Sequence, residues 1–353
     1  MFSLLRLRAL CPSGPVFSKR ASRPLYIRSA SSAFSTSSRS SSSPSSPTSS
    51  PRPLPSTPTN APHRNPSSTS LPPYSLSRPY SSTSAPAMAD ERPTGLKATS
   101  GIELLTLNTP NGFKVSILLE ELKDAYGTQY TWQSIDISKG IQKEPWFTAL
   151  NPNGRIPVIV DHDRNKLAVF EGAAILNYLV RSFDTENKFS FNPVTEPDQV
   201  AIAESWIAWQ HGGVGPMQGQ ANHFVHFAAD KEDFYAAQRY VGETERLYGV
   251  LNTHLADRDF VAGAGRGKYS IADISILGWA QALHISGVDK SHFPHVFTWL
   301  DRCIARPATA RGLAIPKPAF YANPDAEFLE KYKSRLEFVE EAKKKFDYKF
   351  QTP

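Results

Sequence analysis

The sequence predicts an α/β domain with a mixed sheet, followed by an all-helical domain and preceded by a disordered N-terminal extension. Three observations lead to this prediction. Residues 1–89 contain no Asp or Glu and hold fifteen of the 29 prolines. Short apolar strands alternate with helical patterns between residues 98 and 185. Beyond residue 195 only helical periodicity remains, so the two fold classes are segregated along the chain.

The extension covers residues 1–97 in this prediction and is rich in Ser, Pro and Arg. Its apolar content is too low to offset the entropy cost of folding, so we expect it to be disordered. Residues 1–89 of it carry ten of the 39 basic residues and none of the 33 acidic ones, so without them the formal net charge falls from +6 to −4. The positive charge therefore gives no argument for a nucleic-acid partner, and none is expected.

The first ten residues alternate apolar side chains with Arg6 and Arg8, and the Arg- and Ser-rich, acid-free composition continues beyond them. This pattern is typical of a mitochondrial transit peptide. Met88 offers a second start, just before acidic residues first appear, and initiation there would give a cytoplasmic form. The alternatives are therefore a targeting leader, an untargeted disordered tail and an upstream extension of the gene model. No run of 18 apolar residues occurs, so no membrane span is expected.

Seven elements are predicted in the α/β domain, residues 98–185. In chain order they are a strand at 102–107, a helix at 113–126 closed by a glycine cap, a strand at 130–137, a short helix at 144–150, a hairpin of strands at 158–160 and 167–170, and a helix at 172–183. This is the thioredoxin-like order, with helices on both faces of the sheet.

The all-helical domain is predicted over residues 195–315, and residues 316–353 form a charged tail that ends in a solvated helix. Helical periodicity marks the stretches 200–209, 234–255, 271–283 and 293–304.

Only two cysteines occur, Cys11 in the extension and Cys303 in an apolar helical stretch. They exclude a disulfide framework and a cysteine-rich metal site, and no metal is expected. Cys303 is predicted to be a buried, inert thiol. Any thiol chemistry must therefore use the sulfur of another molecule.

The first candidate motif, Thr109-Pro110-Asn111-Gly112, lies where the first strand turns into the first helix. Amide N–H groups at a helix start favour an anion. The Thr109 hydroxyl and the Asn111 carboxamide can also donate hydrogen bonds, and such donors would stabilise a thiolate and so activate it. The alternative is that these residues form only a turn and a helix cap.

Two further motifs flank the predicted hairpin. Pro157 directly precedes an apolar strand, which is typical of a cis bond in a tight turn, and the backbone of Ile156 would then face outward to pair with an extended peptide. Glu171 can receive an ammonium group, while the N–H of Gly172 at the helix start can receive a carboxylate. Alternatively, Glu171 only favours the helix N-terminus.

Together with His211–Met217, Gly219–Phe224 and Ala237–Tyr240 in the helical half, these motifs resemble the glutathione S-transferase superfamily. The resemblance covers about residues 101–315. It is strongest to the fungal and bacterial group that contains nu-class transferases, disulfide-bond reductases and the yeast nitrogen regulator. It implies the transferase fold, glutathione as co-substrate and a homodimer.

The resemblance also implies roles for individual residues. Thr109 and Asn111 are expected to contact the glutathione sulfur. The residues expected to bind the tripeptide are Asn111, Gln142, Arg155, Ile156, Glu171, Gly172 and Arg239. A structural role is expected for Pro157 and for Ser270 and Asp273, whose spacing predicts a helix capping box.

One position departs from the family, which usually has Ser where this chain has Gly172. The missing hydroxyl is expected to weaken glutathione binding by about 1 kcal/mol, the contribution of one hydrogen bond. Asn222 and His223 could line the pocket for an electrophile, but the pattern favours a packing or hydrogen-bonding role.

The expected function is conjugation of glutathione to electrophiles, reduction of disulfides with glutathione, or both, as in detoxification. One alternative is a non-catalytic regulator with a transferase fold; the Ser- and Pro-rich extension argues against prion-like assembly in that case. Another is an accessory domain of a complex, which the presence of Asn111, Ile156 and Glu171 disfavours.

Overall fold

The computed structural model describes residues 95–319 and 326–353. The predicted leader, with its transit peptide and Cys11, lies outside the described residues up to position 94. Residues 95–97, which we assigned to the leader, pack on the sheet: the carbonyl of Gly95 accepts from Gln133 Nε2 at 3.0 Å, and Lys97 N donates to the Glu103 carboxylate at 2.9 Å. Residues 95–97 therefore belong to the α/β domain rather than to the leader.

The α/β domain contains the elements that the sequence predicted, in the same order. They are β1 (Ile102–Thr106), α1 (Pro110–Tyr126), β2 (Tyr130–Ser134), α2 (Pro145–Thr148), β3 (Val158–Asp161), β4 (Leu167–Phe170) and α3 (Gly172–Phe183). The strand order is β2-β1-β3-β4, with β2 parallel to β1, and β3 antiparallel to both β1 and β4. This mixed sheet confirms the thioredoxin-like fold class.

Strand β2 is shorter than predicted. It ends at Ser134 because Asp136 starts a 3₁₀ turn at Ile137–Lys139, where its side chain accepts from Ser138 N. The turn is closed by Gly140 in the left-handed conformation at φ 72°. The chain thereby reaches Gln142, one of the predicted ligands, in a turn rather than at the end of a strand.

The helical domain follows as α4 (Pro197–Trp209), α5 (Gly215–Asn222), α6 (Phe234–His254), α7 (Ile271–Gln281), α8 (Pro294–Ile304), α9 (Pro307–Gly312) and α10 (Ala326–Lys345). The four predicted helices agree with α4, α6, α7 and α8 to within three residues at each end. Helices α5 and α9 were not predicted. A helical turn of the π type at Gln210–Val214 joins α4 and α5 into one continuous helix despite its glycines, and a second one at His223–Phe227 extends this helix.

Helix α1 lies between the sheet and the helical domain, in contact with α3, α7 and α9. Its apolar residues Phe113, Ile117 and Leu118 are fully buried. Gly278 of α7 permits a close approach to α1, because a Cβ at this position would lie 2.6 Å from the carbonyl oxygen of Pro110. The start of α1 is thus fixed directly against α7.

The predicted capping box is present at the start of α7. The Ser270 hydroxyl accepts from Ala272 N at 3.3 Å, and Asp273 accepts from Ser270 N at 3.1 Å. The same carboxylate also accepts from Val261 N at 3.0 Å and from Trp299 Nε1 at 2.8 Å. Asp273 therefore joins α7 to the preceding loop and to α8.

The charged tail ends in a helix, as predicted, but this helix is not solvated on all sides. Phe338, Val339 and Ala342 of α10 are buried in the core, and Lys343 Nζ donates to the buried Glu245 of α6 at 2.8 Å. Polar residues dominate the sequence of α10, so its narrow apolar face gives only a weak signal. Among the described helices, none is both long enough and apolar enough to cross a bilayer.

Cys303 of α8 is buried, as predicted. Burial raises the pKa of its thiol well above the ordinary value. A thiol with a raised pKa is a poor nucleophile at neutral pH, so Cys303 has the properties of a structural residue.

Candidate functional site

A cavity of about 870 Å³ lies between the start of α1, the loops that flank α2, the start of α3 and the α4–α5 helix. Seven of the eight residues predicted to contact glutathione line it: Thr109, Asn111, Gln142, Arg155, Ile156, Glu171 and Gly172. They come from four separate loops or helix ends, which the fold brings together at one edge of the sheet.

Thr109 is the N-cap residue of α1. Its Oγ1 accepts from Gly112 N at 3.1 Å, so the capping role weighed from the sequence is real. A hydroxyl that accepts one hydrogen bond can still donate its own hydrogen. Capping the helix and donating to a ligand in the cavity are therefore compatible.

Asn111 is oriented by α7. Trp279 Nε1 donates to Asn111 Oδ1 at 3.2 Å. Because an indole N–H can only donate, the carboxamide oxygen must face Trp279, and the amide N–H groups stay available to a ligand. The close contact of Gly278 with Pro110 holds this pair in place.

The Ile156–Pro157 peptide bond is cis. The turn before it is held by the Asn151 side chain, whose Nδ2 donates to the carbonyl of Arg155 at 2.8 Å. Ile156 and Pro157 both line the cavity, where an extended peptide would meet the backbone just before the start of β3.

Glu171 connects β4 to α3 with φ 69° and ψ 123°, a backbone conformation that is rare for residues other than Gly. Its carboxylate is exposed at the cavity and accepts from Asn153 Nδ2 at 3.4 Å. Gly172 follows as the first residue of α3 and is buried. An acidic side chain and a helix N-terminus thus lie side by side, which suits the two charges of an α-amino acid.

The opposite wall of the cavity comes from the α4–α5 helix and contains Pro216, Gly219, His223 and Phe227. Phe227 is 74% exposed, which is high for a large apolar side chain. His223 also faces the cavity, although the sequence favoured a packing role for it, whereas Asn222 is buried and does not line the cavity. This wall can contact an apolar second substrate.

Arg239 is the predicted ligand that the single chain does not bring to the site. It lies on the exposed side of α6, near Glu243, whose pKa it helps to lower. It is not among the residues that line the cavity. Its role as a glutathione ligand stays a prediction.

The sequence reasoning missed Lys114, which is only 1% exposed yet lines the cavity. Its Nζ donates to Gln210 Oε1 at 2.6 Å. Burial lowers the pKa of Lys114 to about 7, although the nearby Glu171 opposes this shift. The spacing held a signal, because Lys114 lies one helical turn after Asn111 and so shares its face of α1.

Within residues 95–319 and 326–353, no three His, Cys, Asp or Glu side chains are grouped as a metal site would require. The cavity is lined by hydrogen-bond donors, one carboxylate and apolar groups. The cavity can therefore place a polar ligand against fixed donors.

Comparison with known proteins identifies the family. The models of the glutathione S-transferase N-terminal and C-terminal domains match residues 101–181 and 216–307. The disulfide-bond oxidoreductase YfcG of Escherichia coli is 38% identical over 216 residues, which cover 60% of this chain and 94% of YfcG. The transcriptional regulator URE2 of Saccharomyces cerevisiae is 31% identical over 239 residues, which cover 58% of this chain and 65% of URE2.

Among solved structures, a glutathione transferase homolog from Lodderomyces elongisporus, crystallised with two GSH per subunit, shares 38% sequence identity and a TM-score of 0.56 with this chain. The alignment covers 62% of this chain and 99% of that one. Both domain models and a relative matched over nearly its whole length agree with the fold described above. The chain belongs to the glutathione S-transferase family.

Proposed function

We propose that this chain is an enzyme that binds glutathione and uses its thiolate, either to attack an electrophilic carbon or to exchange with a disulfide. The observation that carries the proposal is the pair of donors at the start of α1. The acceptor atoms of Thr109 and Asn111 are engaged by Gly112 N and Trp279 Nε1, so their remaining hydrogens are free to meet a sulfur.

These donors act on the pKa of the bound thiol. A free thiol titrates near pH 8.5, and a hydrogen bond to a charged group contributes about 1.5–3 kcal/mol. One such bond to the thiolate lowers the thiol pKa by about 1 to 2, since one pKa unit corresponds to 1.36 kcal/mol. At pH 7 the ionised fraction of the thiol then rises from about 3% to between about a quarter and three quarters, and this thiolate can attack.

Two reactions can follow from this thiolate. In conjugation, its sulfur bonds to an electrophilic carbon and a leaving group departs or a polarised bond opens. In exchange, it attacks one sulfur of a disulfide and expels the other as a thiolate. Among residues 95–319 and 326–353 no cysteine lines the cavity, so we assign the reacting sulfur atoms in both cases to substrates.

The size of the cavity and the relatives both support disulfide exchange. Its volume of about 870 Å³ lies near the upper end of the range of about 300–1,000 Å³ for small-molecule pockets, so a second molecule has room beside a tripeptide. Among the relatives, YfcG is named a disulfide-bond oxidoreductase, and the Lodderomyces homolog was crystallised with two GSH per subunit.

The test compares the purified full chain with Asn111→Asp, in assays with an aryl halide and with hydroxyethyl disulfide. The Asp keeps the oxygen that faces Trp279 but replaces the donor with an anion. We expect at least a tenfold loss of activity and a higher pKa of the bound thiol, measured by thiolate absorbance. Asn177→Ala, on α3 outside this cavity, is the control. An active wild type that Asn111→Asp leaves unchanged would contradict the proposed mechanism.

A non-catalytic regulator is the second candidate, supported by the similarity to URE2. The two functions differ in turnover rather than in binding. Glutathione binding by calorimetry, together with no activity toward either model substrate, would favour the regulator. Activity toward either substrate would favour the enzyme.

Two further proposals concern the oligomeric state and the localisation of the protein. We propose a homodimer on family grounds, which light scattering of the purified chain would test. We also propose that the form starting at Met1 enters mitochondria and that a form starting at Met88 stays in the cytoplasm. Imaging of fluorescent fusions to the two forms would separate these outcomes.

A further inference from the structure

The cavity has a buried cation at the end where α3 begins. Lys114 extends from α1 beneath Gly172, and its ammonium group donates to Gln210 Oε1 at 2.6 Å. The nitrogen also lies 3.3 Å from His211 Nε2. A buried lysine on the wall of a binding cavity calls for an explanation, because removing a charge from water is costly unless it is compensated.

The tautomer of His211 determines how many donors of Lys114 are used. His211 Nδ1 lies 2.9 Å from the carbonyl oxygen of Ile207 and must donate to it, so Nε2 carries the lone pair and accepts from Lys114. Burial first, and Lys114 second, lower the pKa of His211 to about 4, so the ring is neutral at physiological pH. Two of the three ammonium hydrogens are then bound, and no described residue accepts the third.

Gly172 leaves space above this ammonium group. A Cβ at position 172 would lie 3.1 Å from His211 Nε2, 3.5 Å from Lys114 Cδ and 3.9 Å from Lys114 Nζ. Any side chain there would stand over the lysine and the histidine. With glycine, the third donor of Lys114 is open to an anion bound at the start of α3.

We propose that Lys114 binds the carboxylate of the γ-glutamyl residue of glutathione through the space that Gly172 leaves. This inference rests on the proposed glutathione site. Glu171, next to Gly172, is placed to receive the amino group of the same residue, so the two charges of the amino acid end meet two opposite charges of the protein. From the sequence we expected Gly172 to weaken glutathione binding, because it lacks the hydroxyl of a serine. In this proposal the glycine instead gives the carboxylate access to the ammonium group of Lys114.

The charge state of Lys114 makes the interaction dependent on pH. The titratable groups that face it are Glu171 before α3 and His211 after α4, while Gln210 and Trp279 are uncharged. Because the pKa of Lys114 is about 7 in the free protein, part of the population is neutral above that pH. A bound carboxylate favours the ammonium form, so binding should take up a proton from solvent.

The experiment is calorimetric titration of the full chain with glutathione and with γ-aminobutyryl-Cys-Gly, which lacks only the γ-glutamyl carboxylate. We expect the wild type to prefer glutathione at least tenfold. Lys114→Met should reduce that preference below threefold by weakening glutathione alone. Lys123→Met, at an exposed position on the same helix, is the matched control and should keep the full preference.

Two further measurements cover the case in which Lys114→Met does not fold. Gly172→Ala keeps the lysine but closes the space above it, and should reduce the same preference. Titrations near pH 8 in buffers of different ionisation enthalpy should show that the wild type takes up more protons with glutathione than with the analogue, because ionisation of the thiol releases the same number with both peptides.

The outcomes distinguish failure of the proposed glutathione site from failure of the assignment of Lys114. A wild type that binds no glutathione overturns the proposed function and this inference together. A wild type that binds glutathione, but whose preference over the analogue survives in Lys114→Met or in Gly172→Ala, overturns only the assignment of Lys114. Equal weakening of both peptides by Lys114→Met also overturns it, because it indicates a general structural effect.

Discussion

Replacing Asp273 with Ala tests how the helical domain is held together. Its carboxylate is fully buried and accepts from Ser270 N at 3.1 Å, Val261 N at 3.0 Å and Trp299 Nε1 at 2.8 Å. The substitution leaves three buried donors without an acceptor, and each costs about 1–3 kcal/mol. Since water can enter the space and the effects are not additive, we expect a loss of about 3–5 kcal/mol in the free energy of unfolding.

The assay is urea denaturation at pH 8, followed by far-ultraviolet circular dichroism at a fixed protein concentration. Burial raises the pKa of Asp273 to about 6, so the carboxylate is ionised under these conditions. Asp301→Ala, at an exposed position on α8, is the control and should change stability by less than about 0.5 kcal/mol. A loss below about 1 kcal/mol for Asp273→Ala would refute the reasoning that this carboxylate joins the two helices.

Three further predictions concern the site. Burial lowers the pKa of Lys114 from 10.5 to about 7, so between these values the unfolded chain keeps a proton that the folded chain has released. The free energy of unfolding of the wild type should therefore rise, relative to that of Lys114→Met, by about 2 kcal/mol from pH 7 to pH 9, as measured by urea titration. If the two proteins show the same dependence of stability on pH, the shifted pKa of Lys114 is contradicted. Gly278→Ala places a Cβ 2.6 Å from the backbone oxygen of Pro110 and should cost about 1–3 kcal/mol in thermal or urea unfolding; an unchanged stability would mean that the contact is not tight. Trp279→Phe removes the donor to Asn111 Oδ1 and should weaken glutathione binding about fivefold in calorimetry, the effect of one hydrogen bond, while equal affinity would show that the indole does not orient the amide.

Much of the fold could be predicted because local signals agreed with each other. The strands alternate with helical patterns, Gly127 caps α1, and Ser270 with Asp273 marks the start of α7. Where the local signal was weak or contradictory, the prediction failed. Helix α5 contains glycines and a proline that disfavour a helix, yet it continues through π turns because it packs against α6. Helix α10 is mostly polar, so its docking on α6 could not be foreseen.

The candidate site, like the fold, was predicted from the sequence only in part. Each of the motifs around Thr109, Ile156 and Glu171 is a contiguous stretch of sequence. The sequence by itself therefore determined which local groups can contact a peptide ligand. Only the tertiary structure showed that Trp279, about 170 residues from Asn111, orients its amide, and that Lys114 lies buried beneath Gly172. Both are long-range contacts, and their geometry depends on how α7 and the α4–α5 helix pack against α1. Local sequence carries information about turns and caps, whereas the orientation of a donor and the ionisation of a buried amine are set by neighbours that only the folded chain supplies.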